Sequence, residues 1–401
     1  MEISLPIIFR FSAAQCKRYI PTLCLSRCNA TTTGSETFKF SDLQIETIPP
    51  SKKAPKSDPK KIKFGSIYTD HMFEVEWTRT DGWGIPRIVP IHNFQLHPGS
   101  KVLHYAQGVF EGLKAFKYSD GTAALFRPEK NMERLLLSCK RAELPLFAPG
   151  ELLKCLKKLV AIEKDWIPDV EGCSLYVRPT AIGVEENLGV QASNKTLLYI
   201  LTCPVGPYFT AGEEKPVSLL ADPLFVRAWP GGIGDRKMAS NYAPTLYVQR
   251  IAQEQGLQQV LWLMGKDLQI TEVGAMNVFF VLKQTNGEIE LVTPPLDGTI
   301  LPGIVRQSIL DLAREWKEFT VSERPINMHE IIAANKEGRL LEMFGSGTAV
   351  SVCPVSKVRF LNEDINVPTT QHDSPLYRRF LKTLTDIQYG RIASDWSVPV
   401  E

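Results

Sequence analysis

Hydrophobic positions along the chain follow two spacings, one typical of strands and one typical of helices. Runs rich in β-branched and aromatic residues predict strands at 174–184, 196–205, 217–221, 259–264, 275–282 and 288–292. Apolar residues at three- and four-residue intervals predict helices at 131–142, 149–166, 243–255 and 302–318. Strands and helices therefore mix in both halves of the folded part. The strands are too unevenly spaced for a propeller, and the chain shows no internal repeat.

A stretch dense in turn-forming residues separates the two halves. Residues 206–216 read GPYFTAGEEKP, a composition that favours a connection rather than an element. We therefore expect a small α+β domain at 64–207, an interdomain linker at 208–216 and a large domain at 217–401. Clefts between domains are common ligand sites, so we expect the functional site between these two domains.

The amino-terminal segment differs from the rest in charge. Between Glu2 and Glu36 there is no acidic residue, while arginine and lysine recur among serine and threonine. This composition is typical of a mitochondrial or plastid transit peptide, and the short apolar stretch at 5–9 fits a secretory signal less well. We expect a transit peptide at 1–39, with mitochondrial import favoured. The alternative is an untargeted cytoplasmic tail.

A lysine- and proline-rich lead-in follows at 40–63. Its last part, residues 49–63, holds six lysines and four prolines. Proline and like charge disfavour compact structure, so this part is predicted to be a solvated, extended approach to the first domain. A nuclear-import signal or a polyanion-binding patch is the alternative.

Composition excludes several classes of protein. The 401 residues are 44% hydrophobic and 22% charged, with a net charge of +2, which is not the composition of a disordered chain. No apolar run has the length of a membrane span, and the near-neutral body predicts neither a membrane nor a nucleic-acid partner. The eight cysteines lack paired spacing and the six histidines are dispersed, so we expect free thiols and no metal site.

Two residues suggest chemistry on their own. Lys237 ends the glycine-rich loop GGIGDRK, which fits neither a P-loop nor a dinucleotide fingerprint. A buried lysine with a depressed pKa is what an imine-forming nucleophile requires. Glu272 begins an apolar strand, where a carboxylate can hold a heterocyclic nitrogen protonated. Each residue alone also fits an ordinary surface position.

Two segments are candidate anion cradles. Pro302 and Gly303 open a helix, which leaves the backbone N–H groups of Ile304 and Val305 unpaired. Residues 345–348 form a Gly-Ser-Gly-Thr turn that can present N–H and hydroxyl donors to a phosphate. Arg134, on the predicted helix at 131–142, can supply a guanidinium, although an exposed helical arginine is the ordinary alternative.

Seven motifs together resemble the branched-chain amino-acid aminotransferases of the animal type. They are HYAQGVFEGLKAF (104–116), FRPEKNMERL (126–135), YVRP (176–179), GGIGDRKMASNYAPT (231–245), QITEVGAMNVF (269–279), LPGIVRQS (301–308) and FGSGTA (344–349). These are pyridoxal 5′-phosphate enzymes of fold type IV. The resemblance implies an α+β, D-amino-acid-aminotransferase-like fold of two mixed α/β domains with the site at their interface.

The resemblance also implies roles for individual residues. Lys237 matches the catalytic lysine that forms the aldimine with the cofactor and moves protons on the substrate. Glu272 matches the carboxylate at the pyridine nitrogen, and Tyr242 the phenol at the 3′-oxygen. The phosphate cup would consist of Arg134, Ile304, Val305 and Thr348.

The resemblance implies a substrate pocket and a reaction as well. Its apolar and aromatic wall would be Tyr105, Phe110, Tyr176, Val190 and Tyr208. The Ala349 amide would hold the α-carboxylate, and Arg178 the distal carboxylate of glutamate. The reaction would be reversible ping-pong transfer of the amino group from L-leucine, L-isoleucine or L-valine to 2-oxoglutarate, in a homodimer.

The chain departs from the family pattern in two places. Animal relatives carry a CxxC pair after FGSGT, but here Val350 stands in the first position and only Cys353 remains, so an internal disulfide switch is not expected. Ala275 replaces a threonine near the substrate carboxylate. Other readings are a D-amino-acid aminotransferase, an aminodeoxychorismate lyase, or a protein that mainly binds a partner through residues 52–63 or Cys353.

Overall fold

The computed structural model of the chain describes residues 37–207 and 215–400, which form two β-sheets with helices packed against them. The helices in this part are α1 (Lys101–Tyr105), α2 (Pro128–Arg141), α3 (Pro149–Ile162), α4 (Thr245–Glu254), α5 (Ile304–Trp316), α6 (Met328–Lys336) and α7 (Leu376–Gln388). None of these helices is long and apolar enough to span a bilayer.

The first ten strands along the chain are mostly those of the first sheet. They are β1 (Gln44–Ile45), β2 (His71–Thr78), β3 (Gly82–Trp83), β4 (Arg87–Pro90), β5 (Gly108–Phe110), β6 (Leu113–Lys117), β7 (Ala123–Phe126), β8 (Ser174–Gly183), β9 (Lys195–Val205) and β10 (Val217–Ala221). The others are β11 (Gln259–Met264), β12 (Gln269–Val273), β13 (Met276–Lys283), β14 (Ile289–Thr293), β15 (Thr320–Glu323), β16 (Leu340–Ser346), β17 (Val352–Phe360), β18 (Glu363–Asn366) and β19 (Ser397–Val400).

The first sheet has the strand order β1-β4-β2-β9-β8-β6-β7-β19, with β3 beside β2 and β5 beside β8. Its long central pair is antiparallel, β8 against β9. Helices α2 and α3 cover one face because their apolar residues recur at helical spacing, and Met132, Leu135 and Leu156 are fully buried there. This packing brings one end of α2 to β5 and β6, which matters for the site.

The second sheet contains a closed ring of strands. Its order is β12-β11-β10-β17-β16-β13-β14-β15, and an additional pairing of β12 with β13 joins the ring. A closed ring has no free edge, and its interior side chains pack as a core that includes Leu261, Val278 and Met343. Helices α5 and α7 pack on the outside of β13 and β16 around Phe344 and Phe380.

The predicted elements are confirmed, with shifts of a few residues at their ends. The strands at 217–221 and 259–264 coincide with β10 and β11. The helix predicted at 149–166 ends at Ile162, and a separate 3₁₀ turn occupies Lys164–Trp166. The sequence patterns gave no sign of β19, which pairs with β7 in the first sheet rather than with its neighbours in sequence.

The segments outside the predicted domains also show order where they are described. Phe38 is buried in the core of the first sheet, and β1 pairs with β4. His71 Nε2 accepts a hydrogen bond from the backbone N–H of Ile48, which fixes the lead-in against β2. The transit peptide predicted at 1–39 lies, apart from residues 37–39, outside the described residues.

Candidate active site

Lys237 lies between the two sheets, just before a 3₁₀ turn at Ala239–Asn241. Its amine donates a hydrogen bond of 3.0 Å to the phenol oxygen of Tyr242, at the end of that turn. Its Nζ also lies 4.9 Å from the ring centre of Phe110 in β5. Backbone hydrogen bonds tie Lys237 to Phe110 and to the Ser138 hydroxyl of α2. The lysine is therefore fixed by both halves of the chain.

Glu272 is a buried carboxylate in β12 with two distinct sides. Its Oε1 accepts hydrogen bonds from the backbone N–H of Leu301 (2.9 Å) and from Asn277 Nδ2 (3.4 Å). Its Oε2 lies 3.1 Å from Arg227 Nε. Burial raises the pKa of Glu272, and the positive charges of Arg227, Lys237 and Arg134 oppose that rise. The carboxylate is thus surrounded by cations of the same site.

A cavity of about 200 Å³ lies beside these residues and is lined in part by Tyr242, Glu272 and Leu301. A larger groove, of about 760 Å³, runs beside α7 and contains none of the predicted site residues. The chemistry therefore belongs to the smaller cavity. Among residues 37–207 and 215–400, no group of three or more His, Cys, Asp and Glu side chains is arranged to hold a metal ion.

Arg134 projects from α2 toward the start of α5. Its Nη1 donates to the carbonyl of Pro302 (2.9 Å), and Ile304 and Val305 are the first two residues of α5. No side chain caps that helix start, so its first N–H groups lack an intrahelical partner. The residue before α5 is Gly303, where an added Cβ would lie 1.9 Å from Asn277 Oδ1. Glycine is required there because the backbone approaches Asn277 so closely.

The turn after β16 is held by the first half of the chain. Thr348 Oγ1 donates to the carbonyl of Gly112 (3.2 Å), and Lys114 Nζ donates to the carbonyl of Ala349 (2.9 Å). Burial lowers the pKa of Lys114 to about 8. The segment 111–114 of the first half thus contacts two predicted binding residues of the second half.

Three of the predicted pocket residues form one aromatic and cationic wall. Arg178 Nη2 donates to the phenol oxygen of Tyr176 (2.9 Å), two residues away on the same face of β8. The Arg178 guanidinium lies 4.7 Å from the ring centre of Phe110, whose ring in turn lies 4.9 Å from that of Tyr242. Phe110 thereby joins the wall to Tyr242 and to the lysine.

The other predicted pocket residues do not join this group. Tyr105, at the end of α1, is 41% exposed and donates its hydroxyl to the carbonyl of Leu188. Val190 is 85% exposed and Leu188 is 61% exposed. Tyr105 and Val190 are thus surface positions, and no described hydrogen bond or ring contact joins either of them to Lys237. Tyr208 lies outside the described residues.

Comparison with known proteins agrees with this geometry. The family profile of amino-transferase class IV matches residues 108–358. The cytosolic branched-chain-amino-acid aminotransferase of Ovis aries is 51% identical over 384 residues, which cover 94% of this chain and 99% of that protein. The chain belongs to the branched-chain amino-acid aminotransferase family. The mitochondrial enzyme of Rattus norvegicus is 52% identical over 367 residues, covering 91% of this chain and 93% of that one.

Solved structures of the family share the fold. The branched-chain aminotransferase of Escherichia coli is 25% identical, with a TM-score of 0.64 over 82% of this chain and 99% of that one. The enzyme of Thermobaculum terrenum in its pyridoxal-phosphate form gives a TM-score of 0.65 at 22% identity, over 83% and 99% of the two chains. The predicted fold type IV architecture is confirmed. The protein is an aminotransferase, and its cofactor is pyridoxal 5′-phosphate.

Sequence reasoning missed several residues that support the site. Glu111, Lys114, Arg227 and Asn277 each contact a predicted site residue, and Asn131 contacts Glu111. Apart from Asn131, each is a polar or charged residue within a largely apolar run, which was the available signal. Such residues can be buried only when they are paired.

The described cysteines, at 139, 155, 173, 203 and 353, are all buried, and none of them forms a disulfide with another described cysteine. Burial raises the pKa of the Cys353 thiol to about 11, so it is a poor thiolate source at neutral pH. Cys16, Cys24 and Cys28 lie outside the described residues. Val350 occupies the first position of the CxxC pair that the resemblance implies, so this motif contains one thiol here. Cys353 is therefore a buried residue of the core.

Proposed function

We propose that the enzyme reversibly transfers the amino group of L-leucine, L-isoleucine or L-valine to 2-oxoglutarate in a ping-pong cycle. The products are the branched-chain 2-oxo acid and L-glutamate. The names of the relatives support the branched-chain class of substrate. The arrangement of Lys237, Tyr242, Glu272 and Arg178 supports the chemistry and the second substrate.

The donor set suits pyridoxal phosphate. Arg134, the uncapped start of α5 at Ile304 and Val305, and Thr348 would hold the phosphate, because Arg134 contacts the Pro302 carbonyl just before α5, and Ile304, Val305 and Thr348 line one small cavity. Glu272 would hold a proton on the ring nitrogen, and Tyr242 would donate to the ring oxygen. Arg227 Nε is buried without a well-aligned hydrogen-bond acceptor, so its N–H is available to donate at this end of the cavity.

The reaction requires a base that takes a proton from the substrate carbon next to the amino group. When bound, pyridoxal phosphate supplies the electron sink that makes this carbon acidic. We assign Lys237 Nζ as the base, because this amine lies between the two sheets and contacts both Tyr242 and the ring of Phe110. Tyr242 accepts a hydrogen bond from this amine at 3.0 Å and orients it.

One pocket has to accept leucine and glutamate in turn. Phe110 and Tyr176 offer apolar surface for a branched side chain, while Arg178 lies at the edge of the same wall. A guanidinium held there by Tyr176 can bind the distal carboxylate of glutamate without entering the space of the branched chain. The Ala349 amide is assigned to the α-carboxylate, which both substrates carry.

The contact of Lys237 Nζ with Tyr242 Oη carries this proposal, because it places the lysine amine beside a residue that lines the cavity together with Glu272. The test is the absorption spectrum of the purified holoenzyme before and after L-leucine. We expect the visible band of the bound cofactor to be lost with L-leucine and restored by 2-oxoglutarate. A band that D-leucine removes and L-leucine leaves unchanged would contradict the substrate assignment.

We further propose a homodimer in which each subunit helps to complete its partner's site. The exposed apolar side chains of Leu103, Tyr105, Leu188 and Val190 support this, because exposed apolar patches mark interaction surfaces and a hydrogen bond joins Tyr105 to the Leu188 carbonyl. The test is sedimentation of wild-type protein and of Val190→Asp. We expect a dimer that dissociates and loses activity in the variant. A fully active monomer would contradict the proposal.

For localisation we propose mitochondrial import through residues 1–39, although the relatives include cytosolic as well as mitochondrial enzymes. The acid-poor composition of the segment supports import. A fusion of residues 1–39 to a fluorescent protein should enter mitochondria in cells. Uniform cytoplasmic fluorescence would favour the untargeted alternative.

A further inference from the structure

Glu111 is a fully buried carboxylate at the centre of the site, between β5 and β6. Its Oε1 accepts from Arg134 Nε (2.7 Å), and its Oε2 accepts from Arg134 Nη2 (2.8 Å). Asn131 Nδ2 also donates to Oε2 at 2.8 Å. The carboxylate therefore holds the guanidinium in a two-point grip and is itself fixed by the neighbouring turn of α2.

This grip determines which donors of Arg134 are left. A guanidinium has five N–H groups in one plane. Two of them go to Glu111 and one goes to the Pro302 carbonyl. Among the described residues, one N–H of Nη1 and one of Nη2 are left over, on the two adjacent nitrogens of the fork. A pair of parallel donors is the geometry that a phosphate accepts.

Charge alone would argue against a carboxylate at this place. Burial would lower the pKa of Arg134, but Glu111 raises it above its ordinary value, so the two groups form a neutral pair. A neutral pair attracts a phosphate dianion less than a free guanidinium would. Glu111 thus places a negative charge beside an anion site. This electrostatic cost has to be offset by the way Glu111 orients the Arg134 guanidinium.

We propose that Glu111 is a positioning residue for the cofactor phosphate: it aims the remaining two N–H groups of Arg134 at the phosphate cup formed by the start of α5 and Thr348. The inference rests on the proposed role of Arg134 in phosphate binding. It adds that affinity for the phosphate end of the cofactor depends on the orientation of Arg134 more than on the net charge of the cup.

The experiment measures binding of two ligands to the apoprotein by fluorescence titration, pyridoxal phosphate and pyridoxal, which lacks the phosphate. The variants are Glu111→Gln, Arg134→Met and the double variant. Glu133→Gln removes an exposed carboxylate from the position in α2 directly before Arg134 and is the matched control. The shift in thermal unfolding of the apoprotein with inorganic phosphate is a second readout that needs no cofactor.

We expect Glu111→Gln to weaken pyridoxal phosphate binding by at least about 10-fold and to leave pyridoxal binding within about 2-fold, because only the phosphate end is affected. The double variant should bind no more weakly than Arg134→Met, since the two residues act as one unit. Stabilisation of the apoprotein by inorganic phosphate should be lost in Glu111→Gln and kept in Glu133→Gln.

Other results would overturn the inference. If net charge governs the cup, Glu111→Gln will bind pyridoxal phosphate more tightly. If Glu111 merely supports the fold, both ligands will lose affinity equally. If Glu111→Gln does not fold, Glu111→Asp, which keeps the charge and withdraws it by one methylene, should show the same selective loss. Unchanged binding in Arg134→Met would instead refute the proposed role of Arg134.

Discussion

Arg227 Nε lies 3.1 Å from Oε2 of Glu272, so the carboxylate faces a buried cation on the side opposite the backbone N–H of Leu301. Arg227 is held in turn by the carbonyls of Gly234 and Thr299. The loop that leads to Lys237 and the segment before α5 therefore meet at this ion pair. Its removal should be felt in the pH dependence of stability.

Burial raises the pKa of Glu272, and Arg227 opposes that rise. When a carboxyl has a higher pKa in the folded than in the unfolded protein, the protein loses stability as pH rises. The loss begins near the pKa of the unfolded state, about 4.3, and ends near the pKa of the folded state. Arg227→Met should raise the folded pKa further and extend the loss to higher pH. We expect the deficit in the apoprotein's melting temperature to widen as pH rises above the unfolded value, about 4.3, until Glu272 is ionised in the folded protein too. Glu272→Gln in the same protein should remove that dependence.

Lys237→Ala should abolish transamination, because no other amine contacts Tyr242 in the described site. Steady-state turnover of L-leucine with 2-oxoglutarate is the measurement, and we expect a loss of at least about 10⁴-fold, as for removal of other essential catalytic groups. Lys266→Ala changes an exposed lysine between β11 and β12 and should match the wild type. Substantial residual turnover in Lys237→Ala would remove the lysine from its assigned role.

Arg178→Met should separate the two substrates. Loss of a charge-assisted contact with the distal carboxylate costs about 1.5–3 kcal/mol, or roughly 10- to 150-fold in KM for glutamate. KM for leucine should change by less than about 3-fold, because the methionine keeps the apolar wall beside Phe110. Equal losses for leucine and glutamate would place Arg178 in a structural role.

Gly112→Ala should displace Tyr176, which belongs to the same wall. An added Cβ at Gly112 would lie 2.0 Å from the phenol oxygen of Tyr176, which receives the hydrogen bond of Arg178. Tyr176 has to move, so KM for glutamate should rise by about 10-fold or more. The control is Gly150→Ala in α3, where an added Cβ meets open space and should stabilise the helix slightly. Equal kinetics in the two variants would contradict this account.

The sequence alone predicted the elements, and it named candidate site residues that the structure brings close together. Lys237, Tyr242 and Glu272 lie in long motifs, and the helices at α2 and α5 follow from apolar spacing over more than ten residues. Pairing across the chain could not be predicted in this way. Glu111 and Arg134 are 23 positions apart, and no local pattern states that one holds the other.

The surface positions of Tyr105 and Val190 show a second limit. Resemblance assigns residues to a pocket, but it does not say to which copy of the pocket they belong. Both side chains are exposed here, away from Lys237. In the proposed homodimer their burial would come from the partner subunit, which neither propensity nor spacing within one chain can predict.

The pairing of β19 with β7 means that the first sheet is completed only at the end of synthesis. Val398 lies beside Leu125, so the first sheet lacks its outer strand until nearly all of the second sheet has been synthesised. Until then, β7 presents an open hydrogen-bonding edge to any extended chain nearby. The nascent chain therefore exposes this edge to mispairing with other extended segments until its last strand is in place.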